Sequence, residues 1–327
     1  MKAKSFVKTL GASLVSLAGL LAAGAAQAAA PNVTNIIVPF APGGSSDMVG
    51  RLIGNKLSEE LGSNVIVENR SGAGASIGIR AVVEAEPDGK TLLVTPNGPI
   101  SISPHLYQRN YDPGTDLVPV ALIALVPTAI AVNGQSDIRT LEDLVKASKG
   151  KSQSLMYSVP AMGTHMHLAG ELFNALTGAN LEAVAYRGTA PASLAVAAGE
   201  VPAGISDLSS LLPLQQSDRL RILAVTGAER TSTAPDIPTV AELGVKDYAA
   251  DAWIGMFAPA GTPADTVATL NAAVRKIVAM PDVVKVLNGA GLEAATVANP
   301  TELKAALQAD YEQWGKVIRD ADIKVEN

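Results

Sequence analysis

Ile36-Ile37-Val38-Pro39-Phe40-Ala41-Pro42-Gly43-Gly44-Ser45-Ser46-Asp47 reads as a β-strand that passes through a Pro-Gly-Gly turn into a helix. Beyond the turn, Val49, Leu52, Ile53, Leu57 and Leu61 recur at spacings of three and four, the period of one buried helical face. Ser45 or Ser46 is placed to cap that helix, Asp47 suits its first turn, and Gly62 can close its end in the left-handed conformation. A second strand over 65–68 leads through Ser71-Gly72-Ala73-Gly74 into a helical stretch ending near Pro87, and a third strand covers 91–95. The result is a βαβαβ unit, for which right-handed crossovers and a parallel sheet are expected.

Downstream, the apolar segment 117–132 is interrupted by Pro119 and Pro127, which rules out one continuous helix. It reads as extended chain crossing between two lobes, with Pro127 near the hinge. A second alternating unit follows. It comprises a helix capped at Thr140, a strand over 155–159, a helix beginning near Gly163, a strand over 183–186 and a helix after Thr189 with Pro191 in its first turn. Strands over 201–206 and 221–226 continue it; the chain then returns through 253–257 to a helix started by Pro263 and an amphipathic helix over 301–321. The expected organisation is a first lobe from 29–128 and 250–327, and a second from 129–249, joined by two crossings.

The chain has 327 residues, 48% hydrophobic and 17% charged, enough apolar material for a sizeable core, and no cysteine. Thiolate metal sites, redox pairs and a cysteine nucleophile are thereby excluded. Lys2, Lys4 and Lys8 precede an uncharged run from Leu10 to Ala26, and Ala26-Gln27-Ala28 is a small-x-small cleavage pattern, so residues 1–28 read as a signal peptide cut after Ala28. Its removal takes three of the 25 basic residues and leaves 22 against 31 acidic ones, a net charge of −9 that disfavours a nucleic-acid partner. No other stretch reaches the roughly 18 apolar residues of a membrane span, so a soluble product in a bacterial periplasm is expected.

In an α/β sheet, ligands collect at the carboxyl ends of strands, where helix N-termini present unpaired N–H groups and partial positive charge. Two turns qualify: 40–47, with paired glycines and two hydroxyls, and Ser158-Val159-Pro160-Ala161-Met162-Gly163-Thr164-His165, one in each expected lobe. If the lobes face one another, these helix starts converge on a cleft suited to an anion.

Several stretches carry a family resemblance. They are the run from Ile37 to Asp47, Val67-Glu68-Asn69-Arg70-Ser71-Gly72-Ala73-Gly74, Pro87-Asp88-Gly89, His167-Leu168-Ala169-Gly170-Glu171-Leu172-Phe173, Tyr186-Arg187-Gly188-Thr189-Ala190-Pro191 and Ala258-Pro259-Ala260-Gly261-Thr262-Pro263. Together, across the whole mature chain, they resemble the Bug family, the extracytoplasmic solute-binding proteins of tripartite tricarboxylate transporters. The resemblance implies an α/β, two-lobed type II periplasmic-binding-protein fold, with mainly parallel sheets flanked by helices and a cleft between lobes. It also implies a monomeric receptor, without enzymatic activity or cofactor, that delivers a small carboxylate to a membrane complex of one large and one small subunit.

Family members grip a ligand carboxylate through backbone groups, hydroxyls and bridging waters on these turns. Carried over, that points to Phe40, Gly43, Gly44 and Ser45 on the first turn and to Ser158, Gly163 and Thr164 on the second. Asn97, Tyr186, Gly188 and Thr189 are expected at the cleft mouth. His167 is expected to bond the ligand or the second turn, and Asp207 to bind a ligand ammonium or serve structure. Asp47 is assigned to capping and loop order, since a carboxylate facing an anion would repel it. Val159, Ala161 and Met166 stand where the family has a small polar residue, glycine, and Ser or Thr, which points to a ligand with an apolar or aromatic body.

Other patterns carry less. Gly74-Ala75-Ser76-Ile77-Gly78 matches a G-x-S-x-G nucleophile elbow and makes a secreted serine esterase the alternative reading. That fold needs a histidine late in the chain, and the histidines here are His105, His165 and His167. Gly72, Gly74 and Gly78 imitate a dinucleotide fingerprint, but they follow the second strand and lack the ribose-binding acid. His165 and His167, two apart on a helix, point away from each other and do not make a metal site. Trp253 is expected at the hinge or cleft wall, and Trp314 against the first lobe.

Overall fold

β1 (Val33–Val38), α1 (Ser45–Leu61), β2 (Asn64–Asn69), α2 (Ser76–Val83) and β3 (Thr91–Pro96) form the expected opening unit in the computed structural model. The structure describes residues 33–108, 110–149, 154–295 and 299–324; the expected signal peptide and its cleavage site lie outside them. Val49, Ile53 and Leu57 of α1 are buried against Ile36, Val38 and Leu92 of the sheet, as their spacing required. Gly50 lets the helix lie close to the sheet, since a Cβ there would stand 2.8 Å from Val38 Cγ2.

The segment from 117 is extended throughout: β4 (Leu117–Val126) and β5 (Thr128–Asn133) are separated by Pro127 alone. They belong to different sheets. The first has strand order β11-β4-β10-β3-β1-β2 and the second β7-β6-β8-β5-β9, with β6 (Leu155–Val159), β7 (Leu181–Ala185), β8 (Ala203–Asp207), β9 (Leu220–Val225), β10 (Ala252–Pro259) and β11 (Glu293–Ala294). Both sheets are mixed, where mainly parallel ones were expected. β1 and β3, β6 and β7, and β6 and β8 pair in parallel, whereas β10 is antiparallel to β3 and β4, and β5 to β8 and β9. The reason is the crossing. A chain that leaves one sheet at its carboxyl edge and enters the next at that sheet's carboxyl edge must run against the strands already there.

Helices cover the sheets: α3 (Leu141–Lys149), α4 (His165–Thr177), α5 (Thr189–Ala198) and α6 (Leu208–Gln216) in the second unit, then α7 (Ala264–Val278), α8 (Pro281–Gly289) and α9 (Pro300–Asp320). Thr140 Oγ1 accepts from Asp143 N (3.0 Å) and Asp143 Oδ2 accepts from Thr140 N (3.0 Å), so the expected cap of α3 is present as a reciprocal box. With 21 residues, α9 reaches about 30 Å and touches both sheets' cores. Leu307 packs with Ile100, Trp253 and Phe257, while Trp314, Val317 and Ile318 join the core of the second sheet. This corrects the expectation for Trp314, which lies edge-on to His165 with ring centroids 5.2 Å apart. Trp253 is buried beside the crossing, where it borders a cavity of about 630 Å³ together with Val126, Pro127, Thr128 and Asp251.

Gly170 on α4 marks the tightest helix-to-sheet approach in the second unit, because a Cβ there would stand 2.2 Å from Tyr157 Oη and 2.4 Å from Cζ. Gly170→Ala is expected to destabilise the protein by about 1–3 kcal/mol, read as a lowered melting temperature, because a packed tyrosine ring must move. An unchanged melting temperature would contradict this packing.

Candidate functional site

Strand register alone brings the two predicted turns toward each other. Ile254 of β10 pairs with Pro96 at the end of β3 and with Ala124 near the end of β4, so β1, β3 and β4 finish at one edge of the first sheet. Thr128 at the start of β5 pairs with Asp207 at the end of β8, and β8 is parallel to β6, so the carboxyl edge of the second sheet also lies at the Pro127 crossing. Three hydrogen bonds tie this junction: Leu208 N to Pro127 O (2.8 Å), Thr226 N to Thr128 O (2.9 Å) and Ala250 N to Thr226 O (2.8 Å). The Thr128 and Thr226 hydroxyls also bond each other. Sequence reasoning passed over both threonines, which only the strand pairing brings together.

On the first turn, Gly43 adopts φ +93°, a left-handed conformation glycine favours, and Gly44 is the N-cap of α1. Ser45 and Ser46 are the first helical residues and provide no side-chain cap, a correction to the expected start. Asp47 supplies the order instead. Its Oδ2 accepts from Gly43 N (2.9 Å), its Oδ1 accepts from Asn69 Nδ2 (2.9 Å) and pairs with Arg51 (2.9 Å), and Asn69 Nδ2 also donates to Phe40 O (3.0 Å). Burial pushes the Asp47 pKa up, but hydrogen bonds from Arg51, Gly43 and Asn69 outweigh it and hold the carboxyl below its usual value. Gly43's amide is thus spent on Asp47 and Phe40's carbonyl on Asn69. The amides of Gly44, Ser45 and Ser46, at the start of α1, have no intrahelical acceptor and carry the positive end of the helix dipole.

The second turn is held from within. Gly163, at φ +71°, donates its N–H to His167 Nδ1 (3.1 Å), and Thr164 Oγ1 donates to Ala161 O (2.7 Å). His167 therefore braces the turn, one of its two expected roles, and Gly163's amide is not available to a ligand. Ser158 is buried and its hydroxyl donates to Ala192 O (2.8 Å), tying β6 to α5 inside the unit. Tyr186 N bonds Val159 O (2.9 Å) and Gly188 N bonds Pro160 O (3.2 Å), so the 186–189 turn is laced to the second turn. Gly188 adopts φ +112° as the N-cap of α5, and Thr189 O accepts from Ser193 Oγ (2.9 Å) and Ser206 Oγ (3.3 Å). Asn97 is buried, receives N–H bonds from Ile100 and Ser101, and donates Nδ2 to Asp251 O (3.2 Å), which links the end of β3 to the second crossing.

Val159 lies in the core of the second sheet and Met166 packs against it, while Ala161 is exposed. Val159 and Met166 therefore fill the interior, which removes the basis for an apolar or aromatic ligand body. The esterase alternative fares no better. Ser76 Oγ accepts from Tyr111 Oη (3.2 Å), and the histidines are engaged elsewhere: His105 Nε2 with Tyr311 O (2.9 Å), His165 Nε2 with Ala250 O (3.1 Å) and His167 with Gly163.

Two mixed sheets joined at their carboxyl edges, with helix starts around the junction, define a periplasmic solute-binding fold. The chain belongs to the tripartite tricarboxylate transporter receptor family, TctC, whose model matches residues 49–323. It is 30% identical over 313 residues to BugT of Bordetella pertussis, covering 95% of this chain and 96% of the relative. Among solved structures it is similar to Rpa4515 of R. palustris with adipate (33% identity, TM-score 0.74, 90% of this chain and 99% of that one). MatC of Rhodopseudomonas palustris with bound malate is likewise similar (30% identity, TM-score 0.71, 88% and 100%). Among the described residues no helix is long and apolar enough to cross a membrane.

Burial lowers the pKa of both His165 and His167 to about 4, so the folded chain keeps them neutral. Unfolded histidine titrates near 6.5, so each withholds stability progressively as pH falls from about 6.5 to about 4. Asp207 and Asp310, both pushed up to about 6 by burial, act oppositely: each contributes stability below the usual carboxylate range that is lost as pH rises through about 6. His167→Asn keeps an acceptor for Gly163 and removes one titration. Its unfolding free energy should fall less steeply than the wild type's between pH 6.5 and 4, by about one proton in slope. Parallel profiles would contradict the buried neutral histidine.

Proposed function

We propose that this chain is a periplasmic receptor that closes on a small organic carboxylate at the Pro127 junction and passes it to a membrane complex of one large and one small subunit. In this reading residues 1–28 are a signal peptide cut after Ala28, the mature monomer has lobes of 29–128 with 250–327 and of 129–249, and the protein performs no chemistry on its ligand. The observation that carries the reading is the meeting of two carboxyl edges at Pro127, with the unpaired amides of α1 on one side and the 158–164 and 186–189 turns on the other. Family membership and the adipate and malate found with its neighbours support a carboxylate as the cargo.

The mechanism follows from the donors. An anion docks first on the amides of Gly44, Ser45 and Ser46, where a rigid turn braced by Asp47 has already met the entropic cost of ordering. Rotation about the two crossings then brings the second turn over it. Three or four charge-assisted hydrogen bonds of about 1.5–3 kcal/mol each sustain roughly micromolar affinity after the costs of closure.

Gly44 is the residue to change, since a Cβ there meets nothing within 4 Å and its φ of −82° suits any residue. Gly163, at φ +71°, would be strained by substitution. Calorimetry with carboxylates selected by a thermal-shift screen should show Gly44→Val weakening binding about tenfold or more while the fold is retained, the melting temperature dropping only slightly for the poorer N-cap. Equal affinity in the variant, or no acid binding the mature protein, would overturn the reading.

A further inference from the structure

We propose that Asp207 is a specificity-determining residue of the ligand site, taking a hydrogen-bond donor that the ligand carries in addition to its carboxylate, a hydroxyl or an ammonium. This rests on the receptor reading above. Asp207 ends β8 opposite Thr128, one residue from the crossing, on the edge where the second-unit turns gather. Strand alternation places it on the face of Ala203 and Ile205, the side covered by α4 and α9. The residue is partly exposed, yet its Oδ1 is buried without a hydrogen-bond partner.

The usual structural uses of such a carboxylate are closed to it. Asp207 occupies the N-cap position of α6, but its side chain makes no cap hydrogen bond. No lysine or arginine pairs with it among the described residues, and the hydroxyl of Thr128 across the ladder bonds Thr226. Burial alone pushes its pKa up, to about 6, so at neutral pH it is a carboxylate whose desolvation nothing nearby offsets. The other unpartnered buried atom at this edge has the same polarity. His165 Nε2 lies against a carbonyl, Ala250 O, and must carry the ring proton, which leaves Nδ1 a buried acceptor without a donor.

Asp207 thus holds an orphaned acceptor at the edge where the chain crosses, and the start of α1, at the carboxyl edge of the other sheet, offers amide donors. A ligand complementary to both has an anion at one end and a donor at the other. A plain acid would leave Asp207 unpaired, and a plain diacid would set a second carboxylate against it.

The test uses the mature wild-type protein and Asp207→Asn, whose near-identical shape costs no existing hydrogen bond, with circular dichroism and melting temperature as fold controls. Calorimetry compares matched sets: propionate, lactate and alanine; succinate, malate and aspartate; adipate, 2-hydroxyadipate and 2-aminoadipate. In at least one set the hydroxy or amino acid should bind wild type about tenfold or more tightly than the plain acid. Asp207→Asn should erase that preference while changing the plain acid's affinity by less than about threefold. A hydroxyl-selective and an ammonium-selective result both support the proposal and distinguish the donor. Binding of acids with no preference, or a preference that survives Asp207→Asn, overturns this inference and leaves the receptor reading standing. No binding across all nine compounds overturns the receptor reading, and the inference with it. If the variant fails to fold, the wild-type preferences alone decide, since absence of any donor preference is already contradictory.

Discussion

The chain changes sheets at Pro127, and that constraint organises the molecule. β4 pairs with β10 in one sheet and β5 with β8 and β9 in the other, and no residue beyond Pro127 separates the two strands. Because the crossing joins two carboxyl edges, every βα turn of both units opens toward the same junction. It also forces β5 and β10 to run against their neighbours, so the mixed sheets and the convergence of the turns have a single cause.

At the junction, polar groups hold the walls rigid. Asp47 and Asn69 fix the first turn, His167 fixes the second, and Ser158 anchors β6 to α5. Several groups that look like ligand contacts are consumed in this bracing, while the amides at the start of α1 have no intrahelical acceptor. Helix-start amides of this kind suit an anion through dipoles, without a cationic side chain, as the proposed receptor reading requires. α9 adds a third link across the two sheets, with Asp310 accepting from Ser101 Oγ (2.5 Å) and from Trp314 Nε1 (2.7 Å).

Much of this was legible in the sequence because it depends on local pattern. The period of α1, the extended run split by Pro127 and the glycine-rich turns all report backbone geometry directly. What escaped reading depends on partners distant in the chain. Ser158 looked like a turn hydroxyl, yet the alternation of Leu155, Tyr157 and Val159 into the core puts it on the opposite, α5-covered face, a signal that was there to use. Gly163's amide could not be assigned without knowing that His167 folds back onto it. α6 was missed because Pro213 lies inside it and reads as a break, and α9 was assigned to one unit because a 21-residue amphipathic pattern does not reveal that its two ends meet different cores.

A crystal structure of the mature protein with a carboxylate selected by the screen tests the central claim most directly. The account places one carboxylate oxygen within hydrogen-bond distance of the Gly44 or Ser45 amide, with the second turn closed over the ligand. A ligand seated instead in the cavity beside Trp253 and Asp251, with the α1 amides facing solvent, would contradict it.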